Sequence, residues 1–232
     1  MSLKRRDFLL SGAALSAASL LPAFRAAAIA AAGPPATTLS PSQALARLVA
    51  GNMRFASGAS TQLSHLTRID ALSSGQAPWA VILSCSDSRV PPEIIFDQGL
   101  GDLFVIRIAG NYAESGGIGS MEYAIAHFHS PILLVMGHSS CGAVHATVDN
   151  LKDGSPPVPG NIQDVVTAIR PAVQAVLHDP GDIYANAVAE NVRENVARLK
   201  AIGPVIGPAV KAGKLEILGG VYDLKTGDVA LL

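Results

Sequence analysis

The chain has 232 residues, 49% of them hydrophobic and 15% charged, with a formal net charge of −1 and a pI near 6.6. That balance excludes an intrinsically disordered chain, and with no basic stripe after the N-terminus it gives no electrostatic basis for binding nucleic acid. It points to one ordinary globular domain with a large core and a small, uncharged or anionic ligand.

At the N-terminus Lys4, Arg5 and Arg6 precede Asp7, Phe8, Leu9 and Leu10, and an apolar run rich in Ala and Ser follows. The Arg-Arg-Xaa-Phe-Leu order resembles a twin-arginine export motif, so residues 1–32 read as a signal peptide. Residues 8–24 carry Gly12, several serines and Pro22, and fall short of the roughly 20 strongly apolar residues a spanning helix needs. No stable membrane anchor is therefore expected after cleavage, for which Ala28 and Ala32 both satisfy the small-residue rule. The expected location is the periplasm of a bacterium, with residues 33–38 as a linker and 39–232 as a single domain.

Ser40 and Pro41 open a helical pattern in which Leu45, Leu48, Val49 and Phe55 recur near helical spacing, and Ser57-Gly58 marks its end. This arm must bury its apolar face, and a neighbouring subunit is one place to do so. Residues 79–83 and 103–108 are short apolar runs that suit strands. Gly116, Gly117 and Gly119 lead into a helical stretch at 120–128, and Pro131 introduces a third strand at 132–136. A loop is expected over 149–160, then helices near 161–177 and 183–202, strands at 215–218 and 221–224, and a turn at 225–228 before Val229. Alternating strand and helix signals predict an α/β fold, a mostly parallel central sheet flanked by helices, with an N-terminal helical arm.

Two segments carry chemistry. Alternate side chains of an extended segment share a face, so Cys85, Asp87 and Arg89 project to one side beyond the run ending at Leu83. His138 follows the third strand through Gly137, and Cys141 comes three residues later, where a helix should begin at Gly142. Both segments lie at carboxyl ends of parallel strands, where open α/β sheets place their ligand sites. Two thiolates and an imidazole make a zinc set that leaves the fourth tetrahedral position open, as catalytic zinc requires. Asp87 can orient a hydroxide held there, or swing onto zinc and close the site; Arg89 can hold Asp87 back by a bidentate pair. Cys85 and Cys141 are the only cysteines, and their company of ligand-type side chains argues against a structural disulfide.

Cys85-Ser86-Asp87-Ser88-Arg89 together with Gly137-His138-Ser139-Ser140-Cys141-Gly142 resembles the β-carbonic anhydrase family. The likeness extends through residues 51–55, 93–111, 119–124 and 222–227, and so over nearly everything after residue 40. It implies reversible hydration of carbon dioxide to bicarbonate by a hydroxide on zinc, one Zn2+ per subunit, and a homodimer or higher homo-oligomer with each site completed near a subunit interface. The resemblance also implies roles for Gln76 as a hydrogen-bond donor to substrate, Phe104 as an aromatic pocket wall, and the Gly142 N–H as a donor to bicarbonate. Ile82 stands where some bacterial relatives carry a Trp of an inhibitory bicarbonate pocket. Hydrolysis of carbonyl sulfide or carbon disulfide is a rival within the same chemistry. A non-catalytic zinc or bicarbonate binder, with Asp87 as permanent fourth ligand, is the rival from another class. His65, His127, His129, His145 and His178 receive no assigned role; His145, one helical turn past Cys141, is the mildest proton-relay candidate.

Overall fold

The computed structural model describes residues 37–61 and 66–232. The expected signal at 1–32, most of the linker at 33–38, and His65 lie outside the described residues.

The first helix, α1 (Pro41–Ala56), starts where a capping box says it should: the Ser40 hydroxyl accepts from the Gln43 N–H, and the Gln43 side chain accepts from the Ser40 N–H. After α2 (Leu66–Leu72) come β1 (Ala80–Ser84), the short α3 (Pro92–Ile95), β2 (Leu103–Arg107) and α4 (Ser115–Phe128). Next are β3 (Ile132–His138), α5 (Gly142–Lys152), α6 (Ile162–Ala175), α7 (Ile183–Ala201), α8 (Ile206–Lys211), β4 (Glu216–Tyr222) and β5 (Val229–Leu231).

The strands form one sheet in the order β2-β1-β3-β4-β5. The first four are parallel and β5 pairs antiparallel with β4 at the edge. Strands β1 and β3 are buried along their whole length, which is why they read as continuous apolar runs rather than as alternation. Val81, Leu83, Leu133 and Val135 pack against one helical layer with Met121, Val192 and Leu199. Ala80, Ile82, Leu134 and Met136 face the other with Leu48, Ile95 and Phe96. The chain leaves β1 for β2 on one side and returns to β3 on the other, so the topological switch point lies between the carboxyl ends of β1 and β3.

Several boundaries differ from the sequence expectation. Strand β3 runs to His138, because Gly137 and His138 continue the ladder onto Val221 and Tyr222 of β4. Glycines 116, 117 and 119 are not a lead-in but lie inside α4, whose first turn is capped by the Glu114 carboxylate on the N–H groups of Gly116 and Gly117. Helix α5 occupies the first part of the expected loop at 149–160. The two late strands are one, β4, since Gly219 and Gly220 stay in the ladder; a side chain at Gly219 would meet Val192 Cγ1 of α7 at 2.7 Å.

Helix α1 buries Ala44, Leu48, Gly51 and Asn52 within its own chain instead of needing a neighbour for them. Asn52 donates to the carbonyls of Ile95 and Gly227 and accepts from the Val229 N–H, tying the arm to α3 and to the turn before β5. Val49 and Met53 remain exposed. Among the described residues no helix is long and apolar enough to cross a membrane.

Candidate metal centre

Cys85 directly follows β1, His138 ends β3, and Cys141 caps α5, so the switch point collects all three. Their ligand atoms lie within 4.8 Å of one another and all three residues are buried. A left-handed residue, Ser140 at φ 55°, makes the sharp bend that brings Cys141 back beside His138. The bend is tied down by the Ser139 N–H on the Tyr222 carbonyl and by the Leu224 N–H on the Ser139 hydroxyl.

The His138 ring shows which atom is meant for a ligand. Its Nδ1 lies 2.9 Å from the Ser139 carbonyl, which can only accept, so Nδ1 carries the proton and Nε2 presents a lone pair. The side chain is 0% exposed, and among the described residues Nε2 has no hydrogen-bond partner. A buried imidazole nitrogen left without a partner is costly, and two facing sulfurs make this a site that a soft-to-borderline metal ion would satisfy.

The acidities of the two thiols are linked. A hydrogen bond from Cys141 is the largest influence on Cys85 and pulls it down to about 4 against the effect of burial, helped by the Gly110 N–H and the Asp87 backbone. Cys141 is pushed up by that same bond, by burial and by the charge on Cys85. The pair therefore titrates as a unit. The Gly110 N–H points at the Cys85 sulfur at 3.3 Å.

Asp87 stands beside the cluster with Oδ2 3.8 Å from His138 Nε2. Arg89 grips both of its oxygens, Nε on Oδ1 at 2.9 Å and Nη2 on Oδ2 at 2.7 Å, and the Arg89 N–H adds a third bond to Oδ1. Those hydrogen bonds hold the Asp87 carboxyl well below the usual carboxylate range, outweighing a burial that pushes it up. Gly142 is the first residue of α5, and the first N–H groups of a helix have no partner within it.

The structure brings together Cys85, Asp87, Arg89, His138, Cys141 and Gly142, but not Gln76 or Phe104. Gln76 is exposed and precedes β1, at the end opposite Cys85. Phe104 lies in β2 with its ring against Tyr123 and Phe128 of α4. His145 packs at a tilt against Tyr184 of α7, 4.3 Å between centroids. Arg107 is the residue missed: its Nε donates to the Cys85 carbonyl at 3.0 Å and its Nη2 to the Asp87 carbonyl at 2.6 Å. An Arg closing an apolar strand was the available signal, but only the β1–β2 register, with Ser84 opposite Arg107, turns it toward Cys85.

The family model described as carbonic anhydrase matches residues 80–229, which include every member of this cluster. The chain belongs to the β-carbonic anhydrase family. It is 40% identical over 193 residues to carbonic anhydrase 2 of Mycobacterium tuberculosis, a match covering 83% of this chain and 93% of that one. The solved structure of the β-carbonic anhydrase CcaA matches with 33% identity and a TM-score of 0.62, covering 81% of this chain and 94% of that chain. A chain from the crystal structures of two tetrameric β-carbonic anhydrases from Sordaria macrospora shares the fold at 23% identity, with a TM-score of 0.64 over 81% of this chain and 96% of that chain.

Proposed function

We infer that the protein catalyses the reversible hydration of carbon dioxide to bicarbonate and a proton, with one zinc ion per subunit held by Cys85, His138 and Cys141. The observation that carries this is the fully buried, unpartnered Nε2 of His138 facing two cysteine sulfurs, beside a carboxylate held by Arg89. Held by these three residues, zinc would supply an acidified water as the nucleophile for the carbon of the substrate.

The protein's own groups then act as follows. Ionised Asp87 is acceptor only, so it takes the nucleophile's O–H as a hydrogen bond and leaves the oxygen lone pair turned to substrate. Arg89 keeps Asp87 in that role and would hold it back from a bound metal, and Arg107 fixes the backbone carrying Cys85 and Asp87. The Gly142 N–H meets a bicarbonate oxygen at the start of α5. Gln76 and Phe104 belong to this chemistry only through a second copy: one precedes β1 away from Cys85 and the other sits on β2, which forms an edge of the sheet. A homodimer or larger homo-oligomer in which each protomer's Gln76 and Phe104 wall the site of its partner is the assembly this reading requires.

Protein of measured zinc content, assayed at alkaline pH with carbon dioxide and with carbonyl sulfide, tests the function. Turnover of carbon dioxide is expected; its absence at stoichiometric zinc would sink the assignment, and faster turnover of carbonyl sulfide would move it to that substrate. Export to the periplasm rests on the Arg5-Arg6 motif alone. Replacing both arginines by lysine should retain the protein in the cytoplasmic fraction.

A further inference from the structure

Helix α7 places two carboxamides, Asn191 and Asn195, one turn apart on the face that also carries the core residues Val188, Val192 and Leu199. They are 1% and 6% exposed. A buried carboxamide in a helix interior is favoured neither by helix propensity nor by burial, so its hydrogen bonds show its purpose. Asn191 Nδ2 donates to the Gly110 carbonyl at 2.8 Å. Asn195 Oδ1 accepts from the Ala113 N–H at 2.7 Å, and its Nδ2 donates to the Asn191 carbonyl at 2.7 Å. Each side chain thus bonds the single loop between β2 and α4.

That loop turns sharply. The Asn111 N–H closes on the Ile108 carbonyl at 2.8 Å, with Gly110 at φ 81° and Asn111 at φ 43°. Glycine suits Gly110, since a φ of 81° strains any other residue and a Cβ there would press on Ile169 Cδ1 of α6. The residue whose carbonyl is held by Asn191 is the residue whose N–H is aimed at the Cys85 sulfur.

We propose that Asn191 and Asn195 are positioning residues of the metal centre: by holding the Gly110 carbonyl and the Ala113 N–H, they aim the Gly110 N–H at the Cys85 sulfur and set the strength with which that thiolate donates to the metal. An N–H bonded to a coordinating sulfur withdraws charge from it, and in a centre with two thiolates that charge governs how acidic the metal remains. The proposal rests on reading Cys85, His138 and Cys141 as a metal site.

The test uses the full chain loaded with cobalt(II), whose sulfur-to-metal charge-transfer band reports thiolate donor strength directly. In Asn191→Leu and in Asn195→Leu the band is expected to move to longer wavelength, while Glu190→Gln, outward on the same helix, keeps the parent position. Asn191→Gln, which retains the donor, is expected to fall between. If Asn191→Leu does not fold, Asn191→Ser is too short to span to Gly110 and is read in the same way. A folded Asn191 variant with the parent band position would overturn the proposal, as would equal shifts in Glu190→Gln. Failure of the parent chain to bind cobalt or zinc at all is a separate outcome and overturns the metal reading itself.

Discussion

Arg89 clasps Asp87 through both carboxylate oxygens and its own N–H, and in that grip Asp87 Oδ2 faces His138 Nε2 across 3.8 Å. The pair sits in the opening of the cluster, with Arg89 itself largely in solvent. Its value lies in direction more than in stability, since an exposed ion pair contributes little to folding.

Arg89→Ala should therefore separate catalysis from metal binding. It removes no ligand, so zinc content stays stoichiometric, while carbon dioxide hydration falls by about 10- to 100-fold, the usual loss when a group orienting a metal site is removed. Metal analysis beside the hydration assay checks both halves. Arg89→Lys is expected to recover only part of the rate, because an ammonium cannot supply the planar fork. Undiminished activity in Arg89→Ala would show that Asp87 needs no holder.

Removal of zinc should lower stability as well as abolish activity. A ligand that binds only the native chain stabilises it by about 4 kcal/mol at a thousandfold excess over its Kd. Thermal unfolding after chelation should show a lower midpoint that rises again with added zinc. A midpoint indifferent to zinc would contradict the ligand set.

Asp102 supports the end of the sheet away from the metal. Burial pushes its carboxyl up, but the bidentate Arg68 pair, the Gly99 N–H and the charges of Arg68 and Arg47 bring the net value below its ordinary range. A depressed folded-state pKa gives stability that is present above the unfolded value, about 3.9, and lost as pH falls through the folded one. Asp102→Asn should cost roughly 1–3 kcal/mol near neutrality. Denaturant titrations should show that difference narrowing below about pH 4.

Gly137 is the point where α7 crosses β3. A Cβ there would meet Val192 Cγ2 at 2.8 Å and Val188 Cγ1 at 3.4 Å, one residue before the candidate ligand His138. Gly137→Ala should destabilise by about 1–3 kcal/mol through overpacking. Val192→Ala in the same chain should return part of that loss, and denaturation of the single and double variants measures the coupling. Additive losses would mean that the contact with Val192 does not limit the packing.

The helix start at Ser40, the strands at β1, β2 and β3 and the start of α5 at Gly142 were legible because their signals are local: a Ser-Pro pair before apolar residues at helical spacing, apolar runs, and a helix start placed just after Cys141. Glycines at 116, 117 and 119 and at 219 and 220 misled for a shared reason. Glycine reads as a breaker in one dimension, whereas here Glu114 caps the first group and α7 packs over Gly219 of the second.

The amino-acid sequence by itself determined the fold class and the candidate ligands, since Cys85 and the His138–Cys141 pair follow apolar runs whose carboxyl ends a parallel sheet gathers at its switch point. Tertiary structure alone decided what supports them. Arg107 reaches Cys85 across 22 positions and Asn191 reaches Gly110 across 81, contacts set by strand register and by the line along which α7 crosses the sheet. It also placed Gln76 and Phe104 away from the cluster of their own chain. A pairing between distant segments costs loop-closure entropy and is repaid only by the packed whole, so no short stretch of residues announces it.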